Sequence, residues 1–384
     1  MRFPEFNGEW ETKLINDLAV VIGGGTPDTT IKSYWDGEIQ WFTPSEIGKN
    51  KYVDSSLRTI TEEGLNNSSA KLLPPNTILL SSRATIGECS LSLRECATNQ
   101  GFQSLVSKKC YVDFLYYLIQ TKKRDLIRKS CGSTFLEISA NEVRKIQVSV
   151  PTDVEQQKIA GLLSLIDERI ATQNKIIEKL QSLIKGLSQQ LLSSENDWIL
   201  YRLDDLAQIK SGYSGTQVSY QTPYKVSRIE TISKHCIDIQ RIGYVECIPE
   251  SYRLNVGNIL FSNINSIQYI GNTAYLDKDY GLYHGMNLLR IIPNTTIVRP
   301  RFLHLLLCTD WAINYFQTIC NKAVSQASIN QTALGKSRFP IPPMSVQQQI
   351  CSMFELTERK LDNEQEYISC LQQQKRYLLQ KMFI

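Results

Sequence analysis

The sequence predicts an α+β protein in which two mixed α/β modules are separated by an antiparallel coiled coil of two long helices, as a pseudo-twofold tandem repeat. Three observations predict this fold. The stretch VEQQKIAGLLSLIDERI at Val154 returns in altered form as VQQQICSMFELTERKL at Val346. Shorter stretches that precede each helix recur in the same order. Both helices also carry apolar residues at heptad spacing, which is typical of a coiled coil.

Composition sets only broad bounds. A chain of 384 residues with 42% hydrophobic content can bury more than one core. The net charge of +4 neither demands nor excludes nucleic acid, because a DNA-binding face would have to be a local feature. The ten cysteines form no CxxC pair, so we expect reduced thiols and neither a metal nor a cofactor. No long apolar run or signal-peptide pattern is visible, and we expect a cytoplasmic protein.

The first module is predicted over residues 1–150. It opens at Trp10 with WETKLINDLAVVIGGG, which indicates a short helix, an apolar strand and a glycine turn. NTILLSSRATIGECSL alternates short apolar runs with Gly and Ser, the pattern of strands and turns. Residues Phe114 to Lys129 have helical spacing and end in KKRDLIRK. That basic run could neutralise DNA phosphates or simply be a solvated helix face.

The first long helix is predicted over residues 151–193. Pro151 ends the preceding strand, and Asp153 can cap the first turn. Gln173 is a polar member of the seam, where it can fix the register of the pair or be a tolerated surface residue. The apolar seam at alternating spacings of four and three is Ile159, Leu163, Ile166, Ile170, Ile177, Leu180, Ile184 and Leu187.

The second module, residues 194–341, repeats the first. It opens at Trp198 with WILYRLDDLAQIKSG, and FLHLLL at Phe302 answers FLYYLI at Phe114. The second long helix is predicted over 342–384, with Ser345 as its candidate cap and Glu364 at the position of Gln173. Its weaker seam is Ile350, Phe354, Leu361, Ile368, Leu371 and Leu378.

The paired seams suggest how the chain works. A helix of about 37 residues is roughly 55 Å long, and its exposed apolar stripe needs a partner. The economical arrangement packs the two helices against each other and keeps the modules apart. Two related modules at a fixed separation suit duplex DNA with two half-sites, displaced by about 34 to 36 Å. A protein-interaction scaffold with two globular heads and no DNA specificity stays open as the alternative.

An active site is not expected. The histidines His235, His284 and His304 lie far apart in sequence, and each is expected to be structural or exposed. No segment is left over to form an enzyme domain.

Loops that follow buried strands supply the candidate DNA contacts. Arginine can bond guanine and amides can bond adenine, while hydroxyl groups can contact either. The same residues are also consistent with simple turns. The candidates are Arg83, Thr85, Asn99, Gln100, Ser133, Thr134, Phe135, Asn263, Asn265, Ser325 and Gln326.

A family resemblance rests on several stretches in order. They are RFPEFNGEW, GGGTPDTTIKSYWDGEIQWFTPSEI, LLSSRATIGE, TNQGFQSL, GSTFLEISANEVRKIQVSVP and EQQKIAGLLSLID, with GNILFSN, HGMNLLRI and SQASINQTAL in the second half. In these the chain resembles the specificity subunit of a type I restriction-modification system. The second module lacks the GGTP and YWDG elements.

The resemblance implies a non-catalytic DNA-binding protein with two target recognition domains. It also implies a bipartite DNA target whose unspecified spacer follows from helix length. The implied partners are double-stranded DNA, two adenine methyltransferase subunits and the restriction and translocase subunits, with no membrane.

Overall fold

The chain folds into two compact units. The computed structural model describes residues 1–132, 136–193, 197–233, 235–322 and 326–383. The first unit combines Met1–Ile176 with Glu364–Ile384, and the second is Ile177–Asn363. Each long helix therefore contributes one part to each unit.

The first unit holds the first module. Its strands are β1 (Glu11–Leu14), β2 (Ala19–Gly23), β3 (Trp35–Phe42), β4 (Tyr52–Val53), β5 (Arg58–Ile60), β6 (Ile78–Leu80), β7 (Cys89–Ser92), β8 (Cys96–Thr98), β9 (Gln103–Ser107) and β10 (Gln147–Val150). Its helices are α1 (Ile15–Leu18), α2 (Glu62–Asn66), α3 (Val112–Thr121), α4 (Lys123–Arg128) and α5 (Ala140–Arg144), followed by the start of α6 (Asp153–Leu191).

The second unit repeats this order with more short strands. The strands are β11 (Ile199–Arg202), β12 (Ala207–Ser211), β13 (Gln217–Val218), β14 (Tyr224–Val226), β15 (Ile232–Ser233), β16 (Cys236–Ile237), β17 (Gly243–Val245), β18 (Ile259–Phe261), β19 (Ile264–Asn265), β20 (Thr273–Tyr275), β21 (Leu282–Tyr283), β22 (Leu289–Pro293), β23 (Asn321–Lys322), β24 (Ala327–Ser328) and β25 (Arg338–Ile341). The helices are α7 (Leu203–Leu206), α8 (Pro300–Leu307), α9 (Asp310–Ile319), α10 (Gln331–Gly335) and α11 (Met344–Met382).

Equivalent sheets form the centre of both units. The first unit has the strand order β2-β9-β6-β7-β4, and the second has β12-β22-β18-β20. The registers match as well, because β2 places Ile22 opposite Ser104 in β9, while β12 places Lys210 opposite Arg290 in β22. The predicted α+β tandem repeat is thereby confirmed.

The modules differ in the sheets beside this centre. In the first unit β3 pairs with β5 and β8, and the rings of Trp35 and Trp41 meet edge to face at 5.1 Å. In the second unit β13, β17, β14 and β21 form a separate sheet with Val226 and Val245 buried. The two modules therefore share a central sheet and differ in the strands that form the sheets beside it.

The long helices run antiparallel inside the first unit. Gln173 of α6 donates to Glu364 of α11, and Asp167 Oδ1, nearly two turns earlier in α6, lies 2.7 Å from Lys375 Nζ, which is later in α11. Leu163 of α6 shares one apolar core with Leu378 of α11. All the predicted seam positions of both helices are buried or half-buried.

Polar contacts join the first module to these helices. Lys51 Nζ donates to Ser164 Oγ at 2.7 Å, and Tyr117 OH donates to Asp167 Oδ2 at 2.6 Å. Because Asp167 also pairs with Lys375, one carboxylate of α6 binds both the module and α11. In the second unit, Arg301 of α8 pairs with Glu358 of α11 at 2.5 Å.

A buried glutamine anchors the start of each long helix. Gln156 donates to Pro151 O at 3.0 Å and accepts from Tyr111 N at 2.9 Å. Gln347 likewise donates to Pro342 O at 2.9 Å and accepts from Arg299 N at 2.8 Å. The same side chain thus fixes the turn into the helix and the start of α3 or α8.

The predicted caps lie inside the helices. Asp153 is the first residue of α6 and Ser345 the second residue of α11, so neither occupies the position before the helix. The anchoring glutamines fix the turn into each helix in place of a capping side chain. Sequence preferences for N-cap residues do not predict such a contact. Within the described residues, no helix is both long and apolar enough to span a membrane.

Candidate nucleic-acid interface

Three segments meet where the central strand of the first unit ends. Ser82, just beyond β6, donates its N–H to Gly101 O at 2.8 Å, and its carbonyl accepts from Ile138 N at 3.1 Å. We call residues 81–85, 98–101 and 136–138 the first loop cluster. Several predicted contact residues that are far apart in sequence are brought together there.

The second unit builds the same junction. Asn263 follows β18, and its carbonyl accepts from Ile329 N at 2.8 Å. Tyr213 N donates to His284 O at 2.9 Å, as Gly25 N donates to Thr98 O at 2.8 Å in the first unit. Residues 262–265, 284–287 and 326–329 form the second loop cluster.

Arg83 and Thr85 lie on the tight turn of the first cluster. Arg83 Nη2 is 2.9 Å from Glu137 Oε2, and the Arg83 side chain remains 42% exposed. Ala84 between them has φ of 53°, a left-handed conformation that non-glycine residues rarely adopt. The exposed Thr85 donates its hydroxyl to Ser81 Oγ at 3.1 Å. The turn therefore presents an oriented guanidinium beside a hydroxyl.

The amides of Asn99 and Gln100 are partly used within the protein. Asn99 Oδ1 accepts from Gly101 N at 2.8 Å, and Gln100 Oε1 accepts from the hydroxyl of Thr26. Both acceptors are occupied, so each side chain offers its NH2 group as a donor. Such donors fit acceptor atoms of bases or phosphate oxygens rather than the bidentate pattern of adenine.

The candidate residues of the second loop cluster differ in how many of their polar groups are used within the protein. Asn265 uses both amide groups, since it donates to Ser262 Oγ at 3.2 Å and accepts from Ser266 N at 2.8 Å. Asn263 donates to Ile329 O at 3.3 Å, and its oxygen is buried without a partner among the described residues. Gln326 is exposed beside β24, which pairs with β19. Ser133, Thr134, Phe135 and Ser325 lie outside the described residues.

Unpaired polar atoms mark one predicted residue, Asn263, and two that the sequence did not single out, Ser82 and Gln103. Ser82 Oγ, Gln103 Oε1 and Asn263 Oδ1 are buried without a hydrogen-bond partner in the described structure. Ser82 and Asn263 occupy equivalent positions, two residues after the matching strand ends. Gln103 lies within TNQGFQSL, the stretch quoted above for its neighbours. Its strand register, which places it opposite Gly23, is invisible in the sequence.

Close backbone contact explains a glycine in each unit. A Cβ on Gly24 would lie 2.0 Å from Asn99 O, and a Cβ on Gly212 would lie 1.8 Å from Gly285 O. Only glycine, which has no Cβ, allows two backbone segments to approach each other this closely beside the loop clusters. In the second unit Gly285 and Met286 occupy the positions of Asn99 and Gln100, so the two clusters present different groups.

The histidines do not form a metal site. Cys308 Sγ lies 3.3 Å from His235 Nδ1 and 3.4 Å from His304 Nε2, although these residues are far apart in sequence. Arg301 Nη1 can only donate to His304 Nδ1, at 2.9 Å, so the neutral ring carries its proton on Nε2. Burial lowers the pKa of His304 and raises that of Cys308 to about 12. Among the described residues, no cluster of three His, Cys, Asp or Glu side chains could bind a metal.

The basic run at 122–129 is largely paired. Lys123 pairs with Glu88, Arg128 pairs with Asp125, and Lys129 Nζ lies 3.8 Å from Glu142 Oε2. These ion pairs favour the solvated helix face over a dense phosphate-binding patch.

Comparison with protein families gives a match over most of the chain. The family model described as "Type I restriction modification DNA specificity domain" matches residues 7–182 and 195–373. The type I restriction enzyme MjaIX specificity subunit of Methanocaldococcus jannaschii is 30% identical over 327 residues, which are 72% of this chain and 75% of that protein. The EcoR124I/EcoR124II specificity subunit of Escherichia coli is 29% identical over 210 residues, 53% of this chain and 49% of that protein.

Solved structures with the same fold cover the whole chain. An S subunit of a type I restriction-modification system from M. genitalium has a TM-score of 0.60 at 16% identity and covers 100% of this chain and 99% of its own. A chain from a structural study of complex assembly and conformational transition in the type I system has a TM-score of 0.64 at 14% identity, with 98% of both chains covered.

Proposed function

This chain belongs to the family of type I restriction modification DNA specificity domains and is a specificity subunit with two DNA-recognition domains. From this we infer that its DNA target is bipartite and asymmetric. Each loop cluster is proposed to recognise one half of that target. The observation that carries the proposal is the pair of junctions at Ser82 and Asn263. Both stand at the same place in the repeated fold, and at both a buried polar atom has no partner among the residues that the structure describes.

Unlike side chains at matching positions support an asymmetric target. The first cluster offers the guanidinium of Arg83 and the amide donors of Asn99 and Gln100, which suit guanine or other base acceptors. The second contributes the oxygen of Asn263, which is buried and unpaired among the described residues, and the exposed thioether of Met286. A carbonyl oxygen accepts from an amino group of adenine or cytosine, and an apolar group suits the methyl group of thymine.

Assembly and boundaries complete the proposal. We assign the first recognition domain to 1–150 and the second to 194–341, with the long helices over 151–193 and 342–384. Two methyltransferase subunits and the restriction and translocase subunits are proposed to bind the chain in the cytoplasm. Catalysis would belong to those partners, and the unspecified spacer would follow from the length of the helices.

The test is a genome-wide map of methylated adenines. Cells that express the methyltransferase partner are compared with and without this chain. The expected result is one split, asymmetric motif that appears only when the chain is present. Absence of any chain-dependent motif in cells that contain both intact proteins would contradict the proposal.

A variant pair links the motif to the first loop cluster. Arg83→Ala is expected to relax base preference in one half of the motif, because a lost arginine contact costs about 1–3 kcal/mol at the affected base. Arg94→Ala is the matched control, since Arg94 also pairs with a carboxylate, Asp54 at 2.7 Å, but lies at the opposite end of β7. An unchanged motif in Arg83→Ala, or a changed motif in Arg94→Ala, would count against this assignment.

A further inference from the structure

A cleft of roughly 460 Å³ opens in the second unit beside β12 and β22. Its lining includes Lys210, Ser211, Tyr252, His284 and Arg290. His284 also belongs to the second loop cluster, so the cleft adjoins that cluster. No role described so far uses these charged side chains.

Arg290 is buried and has no counter-ion in the described part of the chain. Only 5% of the residue is exposed. Its Nε donates to Asn258 Oδ1 at 2.7 Å, and its Nη1 donates to Ser251 O at a long 3.4 Å. Both acceptors are neutral, and no carboxylate forms an ion pair with Arg290 within the described ranges. Burial alone lowers the pKa of this guanidinium. An uncompensated buried charge is costly, which indicates that something outside the chain completes the site.

Lys210 adds a second positive charge to the same face. It lies directly opposite Arg290 in the β12–β22 ladder, and opposed residues of a ladder project to one side of the sheet. Like charges in this position destabilise a strand pair. The nearby His284 does not compensate, because burial lowers its pKa to about 4 and leaves it neutral near pH 7. A bound anion would relieve the repulsion between the two cations.

The first unit shows that the fold does not require this pair. Its matching positions are Ile22 in β2 and Ser104 in β9, with the same register. The same sheet thus forms with no charge at either position. The two cations are a property of the second unit alone, and structural need does not explain them.

We propose that this cleft binds a phosphate group through the guanidinium of Arg290 and the ammonium of Lys210, with the hydroxyl groups of Ser211 and Tyr252 as neutral donors. The fork of an arginine matches phosphate oxygens, and lysine adds a point charge. The cleft adjoins the second loop cluster, so the source is a backbone phosphate of bound DNA. That source rests on the proposed function, whereas the phosphate chemistry does not.

The first experiment uses inorganic phosphate and the full chain. The melting temperature is measured in phosphate and in chloride at equal ionic strength, for wild type, Arg290→Met, Lys210→Ile and the control Lys185→Gln. Lys185 is exposed on α6 and does not line the cleft. Phosphate is expected to raise the melting temperature of wild type and control by a few degrees, and of Arg290→Met not at all. In chloride Arg290→Met should melt no lower than wild type, because it removes an unpaired buried charge.

The second experiment uses duplex DNA that contains the mapped motif. The slope of log K against log salt is expected to fall by about one unit in Arg290→Met and in Lys210→Ile, as for the loss of one phosphate contact, with the motif unchanged. Lys185→Gln should keep the wild-type slope.

The outcomes separate the two levels of the proposal. A lost phosphate response with an unchanged DNA slope supports a phosphate site and overturns its assignment to the DNA backbone. A reduced salt slope in both Arg290→Met and Lys210→Ile supports the assignment to a DNA backbone phosphate, with or without a melting-temperature response to inorganic phosphate. If the wild-type protein binds no duplex selectively, the proposed function fails. The melting-temperature response to phosphate then decides by itself whether the cleft is a phosphate site. No phosphate response together with unchanged slopes overturns the inference entirely.

Discussion

At the scale of single residues, the loop clusters contain buried polar atoms that have no hydrogen-bond partner in the described parts of the chain. Leaving a buried acceptor unpaired costs about 1–3 kcal/mol, yet both units accept this cost two residues beyond the same strand. Asn263 and Asn265 show the distinction, since only Asn265 uses both of its amide groups internally. One asparagine therefore has capacity for a ligand and the other supports the turn.

This contrast gives a paired prediction. Asn263→Ala should leave the melting temperature nearly unchanged and weaken base preference in one half of the motif. Asn265→Ala should lower stability by about 1 kcal/mol and leave the motif intact, because it removes two internal hydrogen bonds. Thermal melting and methylated-adenine mapping distinguish them. The reverse pattern would show that Asn263 is the turn former.

A second residue-scale prediction concerns pH. The pKa of buried His284 is lowered to about 4, so below its ordinary value near 6.5 the unfolded chain binds a proton that the folded chain does not. Folding stability should therefore fall as pH drops from about 6.5 to 4, by on the order of 2 to 3 kcal/mol in all.

The measurement compares urea unfolding of wild type and His284→Gln at pH 7 and pH 4.5. Glutamine retains an N–H that can reach Leu288 O, which His284 contacts at 3.0 Å. The variant should lose less stability on acidification than wild type. Equal losses in both proteins would mean that His284 is not the responsible group.

At the scale of elements, each long helix depends on the glutamine at its start. Gln156→Ala would leave Pro151 O and Tyr111 N without their partner. We expect a loss of roughly 2–4 kcal/mol from two unpaired buried groups. Gln157→Ala, at the exposed neighbouring position, is the control and should have little effect. Chemical denaturation measures both, and similar midpoints would refute the anchoring role.

The elements also show where prediction from sequence succeeds. Heptad spacing predicts α6 and α11, because an apolar stripe on a long helix is a strong periodic signal. Short strands such as β19 and β24, each of two residues, are too short to show the alternating apolar pattern that predicts a strand. The loop clusters depend on pairing between segments such as Ser82 and Ile138, which local sequence does not encode.

The phosphate cleft illustrates the same limit. Lys210 and Arg290 are 80 positions apart in the chain, and nothing in the surrounding residues indicates that they are opposed. Arg83 and Gln100 are predictable as loop residues because each follows an apolar strand and precedes a glycine in the sequence.

At the scale of the whole molecule, the repeat places an exposed leucine at a matching position of each long helix. Leu165 is 59% exposed on α6, and Leu356, at the matching position of α11, is 65% exposed. Neither residue belongs to the predicted seam. If two copies of one methyltransferase bind this chain, as proposed above, equivalent leucines suit two equivalent contacts.

The prediction is a change in stoichiometry. Leu165→Glu and Leu356→Glu should each reduce the complex from two methyltransferase copies to one, and the double variant should bind none. Leu183→Glu is the control, because Leu183 is 51% exposed but its repeat position holds Gln374. Native mass spectrometry counts the copies. Full binding by the double variant would place the partner elsewhere.

The matched glutamine anchors have an evolutionary consequence. Gln156 and Gln347 make the same two contacts where each recognition module joins its helix. Homologous recombination could therefore join a gene segment for a foreign module at this junction between module and helix. The anchoring contacts of the glutamine would be kept. If the proposed function holds, a host could in this way acquire a new DNA target in a single crossover, with no change to the partner enzymes.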